Sequence, residues 1–559
     1  MKVLFAKLKE ERNIKKIILT LATICLSVFE LYKTNGTFEE AAFFVNFIGV
    51  SVFAFTVFRL KLRDFLKIPY YAYAVLGLVG VVLVYKFFAE RDVFASRFLI
   101  AEFNVYLYGF LLIRLIYYIV ELIKDKKKPG FRPTFLFWGW IGMMLLCVFS
   151  VNNSVWPLWF LMIFGAYYIT PATEEETKDI FESLVNGLII AFFIIQCLAF
   201  LYRPFGYVRY KGFFYNSNMN SLFYLVSYAA FLVKLHMLRD KGASKWVKVI
   251  AFAITCSLWS FMWLTAGRGA FLGFVVITVV YLVIEEFIFT GKGIRGFLLK
   301  GILMFAVFIA STFPVYACVR YIPELRHHPV FFQDEYNDSG VIKSENIHVK
   351  EAYAGFAESY MAMVGRLNYD KYADYTRVSD RATEVVGSGD YDAISTDPKP
   401  ENTEEAFYKT VSYGKLDVIL GVRKYAWMYF GSHLNLQGHE ESFEQVQVTP
   451  TFACNHPHNS FLFMAYGYGI IAGALFLVWV FGMPVYILVK FFKEKEHTPL
   501  YCMFTMFSYL AFICYGFFET SSYPGRVVFG LLFLTALPFM RKAEISGLKD
   551  QSQNERSED

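Results

Sequence analysis

The feature that most constrains this chain is a series of apolar runs, most about 17–25 residues long, the length a helix needs to cross a hydrocarbon core of about 30 Å. They fall near residues 17–33, 41–60, 68–88, 98–123, 134–150, 155–171, 180–202, 218–238, 247–265, 269–290 and 296–318, and again near 459–492, 499–516 and 525–540. A backbone in lipid must satisfy its own hydrogen bonds, so such runs fold as helices. The predicted fold is all-α: a polytopic membrane protein with about 14 transmembrane helices and a large, mostly helical extracytoplasmic insert. Only Asn152, Asn153 and Ser154 separate the fifth run from the sixth, so the count spans 12–14. Hydrophobic residues make up 56% of the chain and charged ones 18%, against about 45–50% and 25% in soluble domains. A soluble enzyme, a disordered scaffold and a single-span receptor are excluded.

Charge supplies the sidedness. Residues 320–457 hold 21 Asp+Glu against 13 Lys+Arg, a net of −8, and the rest of the chain carries a net of +14. The basic residues crowd the N-terminus from Lys2 to Lys16, the short loops at 59–67, 124–132, 239–248, 292–300 and 493–495, and Arg541–Lys542. The positive-inside rule makes these cytoplasmic, both termini included. The first run has no small-residue cleavage site after it and is expected to be a membrane helix, not a signal peptide. One inside loop, 174–179, is acidic and disagrees. The outer face then receives 203–220, 266–268, the insert and 519–526. The basic excess reports orientation, and no nucleic-acid partner is expected.

Four parts follow: N-terminal membrane helices over 1–318, an extracytoplasmic cap over 319–457, C-terminal membrane helices over 458–543, and a disordered cytoplasmic tail over 544–559. The cap is too long for an idle connection. Its residues 347–366 and 403–430 have helix-compatible spacing, and 387–402 is rich in loop formers. Cys25, Cys147, Cys197, Cys256, Cys502 and Cys514 lie in apolar runs and no CxxC pair occurs, so neither a disulfide framework nor a cysteine zinc site is expected. Seven of the nine histidines (His327, His328, His348, His433, His439, His456 and His458) fall in or beside the cap, without the spacing of a metal motif. No metal and no cofactor is expected.

Four segments carry candidate chemistry, all on the outer face. In His456–Pro457–His458–Asn459–Ser460, proline restricts His456 to an extended backbone and Asn459 or Ser460 can cap the next helix. His458 then projects from a rigid helix start, where an imidazole suits general-base work. An interfacial histidine commonly does no more than satisfy a local hydrogen bond. Arg268, between Gly267 and Gly269, opens a helix whose exposed N–H groups and dipole favour a phosphate; an interfacial arginine is otherwise a snorkelling anchor. Arg423 and Trp427 share a helix face, and a solvated arginine packed over tryptophan explains the pair equally well. The loop holding Arg209, Lys211, Asn216 and Asn218 mixes cations, amides and aromatics, which suits sugars as well as an aromatic belt.

Taken in order, these segments resemble the O-antigen ligase and O-antigen polymerase superfamily of bacterial membrane glycosyltransferases. Residues 212–218 resemble the family's Gly-aromatic-x-Asn-Pro-Asn loop, and Gly267–Arg268–Gly269 its Ser-Arg-Gly helix start. Arg423-x-x-x-Trp427 is similar to the family's Arg-x-x-x-Trp, and His458–Asn459-x-x-Leu462 precedes Gly467, Gly469 and Gly473 in what is similar to its glycine-bearing helix. The resemblance covers about 205–480, half the chain. Ser217 replaces the usual proline, Gly267 stands where serine is common, Leu420–Gly421–Val422 precedes Arg423 in place of Ser-Gly, and the insert is longer.

The resemblance implies transfer of a glycan from an undecaprenyl-pyrophosphate donor to an acceptor hydroxyl at the outer face of the bacterial cytoplasmic membrane. The acceptor is a lipid-linked glycan, a lipid core sugar or a protein, and contacts with other polysaccharide-assembly proteins are expected. Arg268 and Arg423 would neutralise the pyrophosphate, His458 would accept the hydroxyl proton, and the anomeric centre would invert. Arg209, Lys211, Asn216, Asn218, His456, Asn459, Trp427 and Arg526 would line the substrate site. Two rival classes are a lipid-linked oligosaccharide flippase or transporter, and a non-catalytic membrane assembly protein. Transporters place ionisable residues at the bilayer midplane and often carry repeats; this chain places its candidate residues at one face and shows no evident repeat.

Overall fold

The computed structural model describes residues 11–28, 66–89, 95–124, 133–152, 157–158, 160–161, 174–202, 210–214, 217–265, 267–325, 423–440, 446–449, 452–494, 498–520 and 527–540. Helices dominate: α1 (Glu11–Val28), α2 (Ile68–Ala89), α3 (Ala95–Lys124), α4 (Phe135–Val148), α5 (Glu174–Tyr202), α6 (Ser217–Asp240), α7 (Lys245–Thr265), α8 (Arg268–Val283) and α9 (Gly293–Leu325). After these come α10 (Arg423–Ser432), a β-hairpin of β1 (Val446–Thr449) and β2 (Phe452–Cys454), α11 (Ser460–Tyr468), α12 (Ile470–Glu494), α13 (Leu500–Gly516) and α14 (Val527–Ala536). Among the described residues six helices are long and apolar enough to cross a membrane: α5, α6, α7, α8 with the π-helical turn Ile284–Phe289 that extends it, α9 and α12. Shorter apolar helices are α4 and α13, and residues 68–80 of α2 are a further apolar stretch. The runs expected at 41–60 and, in most part, 155–171 lie outside the described residues, as do cap residues 326–422 and the tail.

Besides helix, the cap segment holds a hairpin in which β1 and β2 pair antiparallel, with Val446 opposite Cys454. One expectation needs correction. The run near 459–492 is not one helix but two. Gly469, at φ +96°, ends α11 and starts α12 in a backbone region that side-chain-bearing residues rarely enter. Residues 435–439 of the cap fill this break: Ile470 N–H donates to the Asn435 carbonyl at 2.9 Å, and His439 N–H to that of Gly467 at 3.3 Å. Gly438, at φ +80°, lies so close to the Gly467 carbonyl that no side chain fits. The His439 ring stacks on Tyr466 with centroids 3.7 Å apart.

α6 is the central helix. It is the least apolar of the six long helices and the most enclosed, with 89% of its apolar window buried. Ser217, Asn220, Ser221, Ser227 and His236 are all buried in it, because it faces protein, where polar side chains find partners, and not lipid. α9 is its opposite, exposing Ile294, Leu298, Leu299, Ile302, Leu303 and Phe305. α1 packs along α5, where a side chain at Gly187 would lie 2.5 Å from Thr23 Cβ. This packing accounts for the discordant acidic loop. Arg12 pairs with Asp179 and, at 3.1 Å, with Glu175; Lys16 pairs with Glu182 at 2.6 Å, and Lys241 meets the same carboxylate. The acids are neutralised by basic residues at the same end of the bundle.

Candidate active site

At the other end of the bundle the starts of α6, α8 and α11 meet the end of α13. The N-cap of α11 is Asn459, whose side chain accepts from the N–H groups of Phe461 and Leu462, at 3.0 Å each. Its own N–H donates to Thr520 Oγ1 at 3.2 Å, and Ser460 Oγ donates to the Glu519 carbonyl at 2.7 Å. The helix start that carries His458 is thereby fastened to residues 519–520. His458 has φ +48°, the one positive value at a non-glycine residue among the described residues. Such backbone strain of about 1–3 kcal/mol persists where surrounding contacts fix it.

Glu519 is the hub. Its Oε1 accepts from Asn218 Nδ2 at 2.6 Å and from Arg423 Nη2 at 3.1 Å. Its Oε2 lies 3.6 Å from His458 Nδ1, an ion-pair distance and too long for a hydrogen bond. Arg423 is held further by Nε donating to the Phe518 carbonyl at 3.1 Å. Burial pushes the Glu519 carboxyl up, but His458 and Arg423 outweigh it and hold the group below the ordinary carboxylate value. The carboxylate is therefore charged, 16% exposed, and set between a guanidinium and an imidazole. His458 Nδ1 is buried and makes no hydrogen bond, although the side chain as a whole is 31% exposed. His456 lies beside it, ring centroids 4.1 Å apart, and its Nδ1 accepts from the His458 N–H at 3.3 Å.

Arg268 is the first residue of α8, following the extended Gly267. A Cβ at Gly267 would lie 2.6 Å from Ser221 Oγ, and one at Gly269 would lie 3.3 Å from Tyr515 Cα. Both glycines let α8 start against the segments that supply Asn218 and Glu519. Ser221 Oγ in turn donates to the Asn218 carbonyl at 2.6 Å, and Tyr515 OH to the same carbonyl at 3.1 Å. A side chain at position 267 would therefore crowd Ser221.

The structure brings together His458, His456, Asn459, Arg423 and Asn218, with Arg268 adjoining. Lys211 sits half-buried in the turn that precedes α6, anchored by Tyr210 N–H to the Leu264 carbonyl at 2.9 Å and by Asn220 Nδ2 to the Tyr210 carbonyl at 3.2 Å. Trp427 is on the expected helix, but its buried indole N–H has no hydrogen-bond partner. α10 instead packs through Ala426 and Phe430 on Tyr466 and Cys454. Arg209, Asn216 and Arg526 lie outside the described residues. Sequence reasoning missed Glu519 and Asn220. The one signal for Glu519 was a lone acid ending an apolar helix on the face that holds the candidate cations. Among the described residues no group of three or more His, Cys, Asp or Glu could hold a metal ion.

Comparison with protein-family models, with curated proteins and with solved structures returns no match.

Proposed function

We propose that this protein is a membrane glycosyltransferase of the O-antigen ligase or polymerase kind, moving a glycan from a polyprenyl-pyrophosphate carrier to an acceptor hydroxyl. The proposal includes about fourteen spans, a cap over 319–457 on the outer face, and a place in the bacterial cytoplasmic membrane. The observation that carries it is the junction at Glu519, where Asn218, Arg423 and His458 arrive from three separate segments. A base oriented by a third group, beside a guanidinium, is the layout of nucleophile activation next to an anionic leaving group.

In this reading His458 Nδ1 faces Glu519, leaving Nε2 to take the proton as the acceptor oxygen bonds to the anomeric carbon. The bond from that carbon to the pyrophosphate oxygen breaks, and the leaving group carries away the electron pair. Glu519 orients the ring and stabilises the imidazolium that forms. Arg423 spends two of its five N–H donors on Phe518 and Glu519; the others, with Arg268 and the α8 N-terminus, receive the pyrophosphate. The ionisable candidates lie at one end of the bundle, which argues against a transporter reading. The test is purified protein with a lipid-pyrophosphate oligosaccharide and acceptor. Chain transfer by the wild type and its loss in His458→Ala are expected. Wild-type transfer in that variant would remove His458 from the mechanism, and translocation without transfer would favour a flippase.

A further inference from the structure

The end of the bundle opposite the Glu519 junction holds a second ionic cluster, which the proposed reaction does not use. The last turn of α6 supplies His236, Arg239 and Asp240, and the π-helical extension of α8 supplies Glu285 and Glu286. His236 Nδ1 lies 2.6 Å from Glu285 Oε1 and its Nε2 lies 3.2 Å from Asp240 Oδ2. Arg239 spans the same two carboxylates: Nη1 meets Glu285, Nη2 donates to Asp240 at 2.9 Å, and Nη2 also stands 3.0 Å from His236 Nδ1. Lys300 of α9 reaches Glu286 at 3.1 Å and Glu285 at 3.9 Å. Phe289 closes the top, 4.5 Å from the His236 ring and 4.9 Å from the Arg239 guanidinium, with Phe491 of α12 behind it. Lys292 of the following turn acts on Glu286.

A neutral imidazole has one N–H and one lone pair. With a carboxylate oxygen at hydrogen-bond distance from each ring nitrogen, the neutral ring sets its lone pair against an anion, whereas the imidazolium donates to both. The side chains of Glu285 and His236 are 3% and 6% exposed, where an uncompensated charge is costly. The π-helical turn puts two consecutive acids on this contact, and such turns mark functional positions in helices.

We propose that His236 is a proton-operated clasp joining α6 to the π-helical end of α8, closed while the ring holds its second proton and opened when that proton leaves. The same two helices begin in the candidate active site, with Asn218 on α6 and Arg268 on α8, so the clasp sets their packing from the far end. The inference is independent of the glycosyltransferase reading. Its test is the full-length protein in phosphatidylethanolamine–phosphatidylglycerol nanodiscs, with thermal midpoint and hydrogen exchange followed from pH about 5.5 to 8.5, the window in which histidine changes charge. The stabilisation should be full in acid and fall as pH rises, with exchange at residues 281–291 speeding up about tenfold. His236→Gln should start lower and lose the pH slope. His236→Arg, which keeps the charge and the donors, should keep the acid-side midpoint throughout. Asp240→Asn alters the more exposed partner, leaves the buried Glu285 contact in place, and should move the decline to lower pH. An unchanged slope in His236→Gln, or a decline left at the wild-type pH in Asp240→Asn if the former does not fold, would overturn the proposal.

Discussion

Both ends of this bundle centre on a carboxylate met by an arginine and a histidine, yet the two are finished differently. At Glu285 both histidine nitrogens lie within 3.2 Å of carboxylate oxygens and Arg239 bridges the same pair. At Glu519 the histidine stops at 3.6 Å, its side chain is 31% exposed, and its backbone is held at φ +48°. The same three residue types therefore make a closed structural contact in one place and an incomplete one in the other. Capacity left unused is what a substrate can engage, and strain held in place by capping contacts is characteristic of sites that act.

The comparison can be broken by mutation, starting with the largest effect. His458→Ala should lower glycan transfer about 10²–10⁴-fold, the range for a positioned general base, measured with a lipid-pyrophosphate donor, while His236→Ala should leave the chemical step far less affected. Arg268→Ala and Arg423→Ala should each cost about 10²–10³-fold, as for removal of one donor to a developing anion, and Arg423→Lys should recover little because a planar fork is lost. Glu519→Gln should keep membrane insertion but lower transfer about tenfold or more, since an amide orients the ring without stabilising its charged form.

Smaller effects sharpen the contrast. Gly267→Ala should destabilise by about 1–3 kcal/mol through overpacking on Ser221, and the double variant with Ser221→Gly should recover part of the thermal midpoint. Glu519 also gives an acid-side signature. Its carboxyl is held below the ordinary value by His458 and Arg423 against the pull of burial. Its contribution is thus complete above the unfolded carboxylate range and is lost as pH falls through the folded value. Wild-type thermal midpoints should fall more steeply below pH about 4.5 than those of Glu519→Gln; equal slopes would detach the carboxylate from its partners.

The apolar runs were legible because lipid-crossing length and hydropathy are local properties, and α5 to α9 stand close to the runs that predict them. The break at Gly469 was not, although Gly467, Gly469 and Gly473 stood out. A glycine inside an apolar run is equally compatible with a continuous helix, and it becomes a break here because Asn435, some thirty residues earlier, supplies the carbonyl for Ile470. Asn218, His458 and Arg423 could be nominated by residue type and position. Glu519 could not, since its meaning lies in an amide 301 residues and a guanidinium 96 residues away. The acidic loop opposed the charge rule for the same reason: its partners Arg12 and Lys16 sit on a helix remote in sequence.

The enclosure of α6 bears on how the chain is made. A segment ending in Lys234, His236, Arg239 and Asp240, and polar along its buried faces, partitions weakly into lipid when it leaves the ribosome alone. Its integration should therefore be helped by neighbours already in place. α5 precedes it and offers Asn186 Oδ1 to Lys234 Nζ at 2.6 Å and Gln196 to Tyr224 at 3.0 Å. The order of synthesis thus delivers the host helix before the guest, and replacing those two α5 amides should leave a fraction of nascent chains with α6 stranded outside the bilayer.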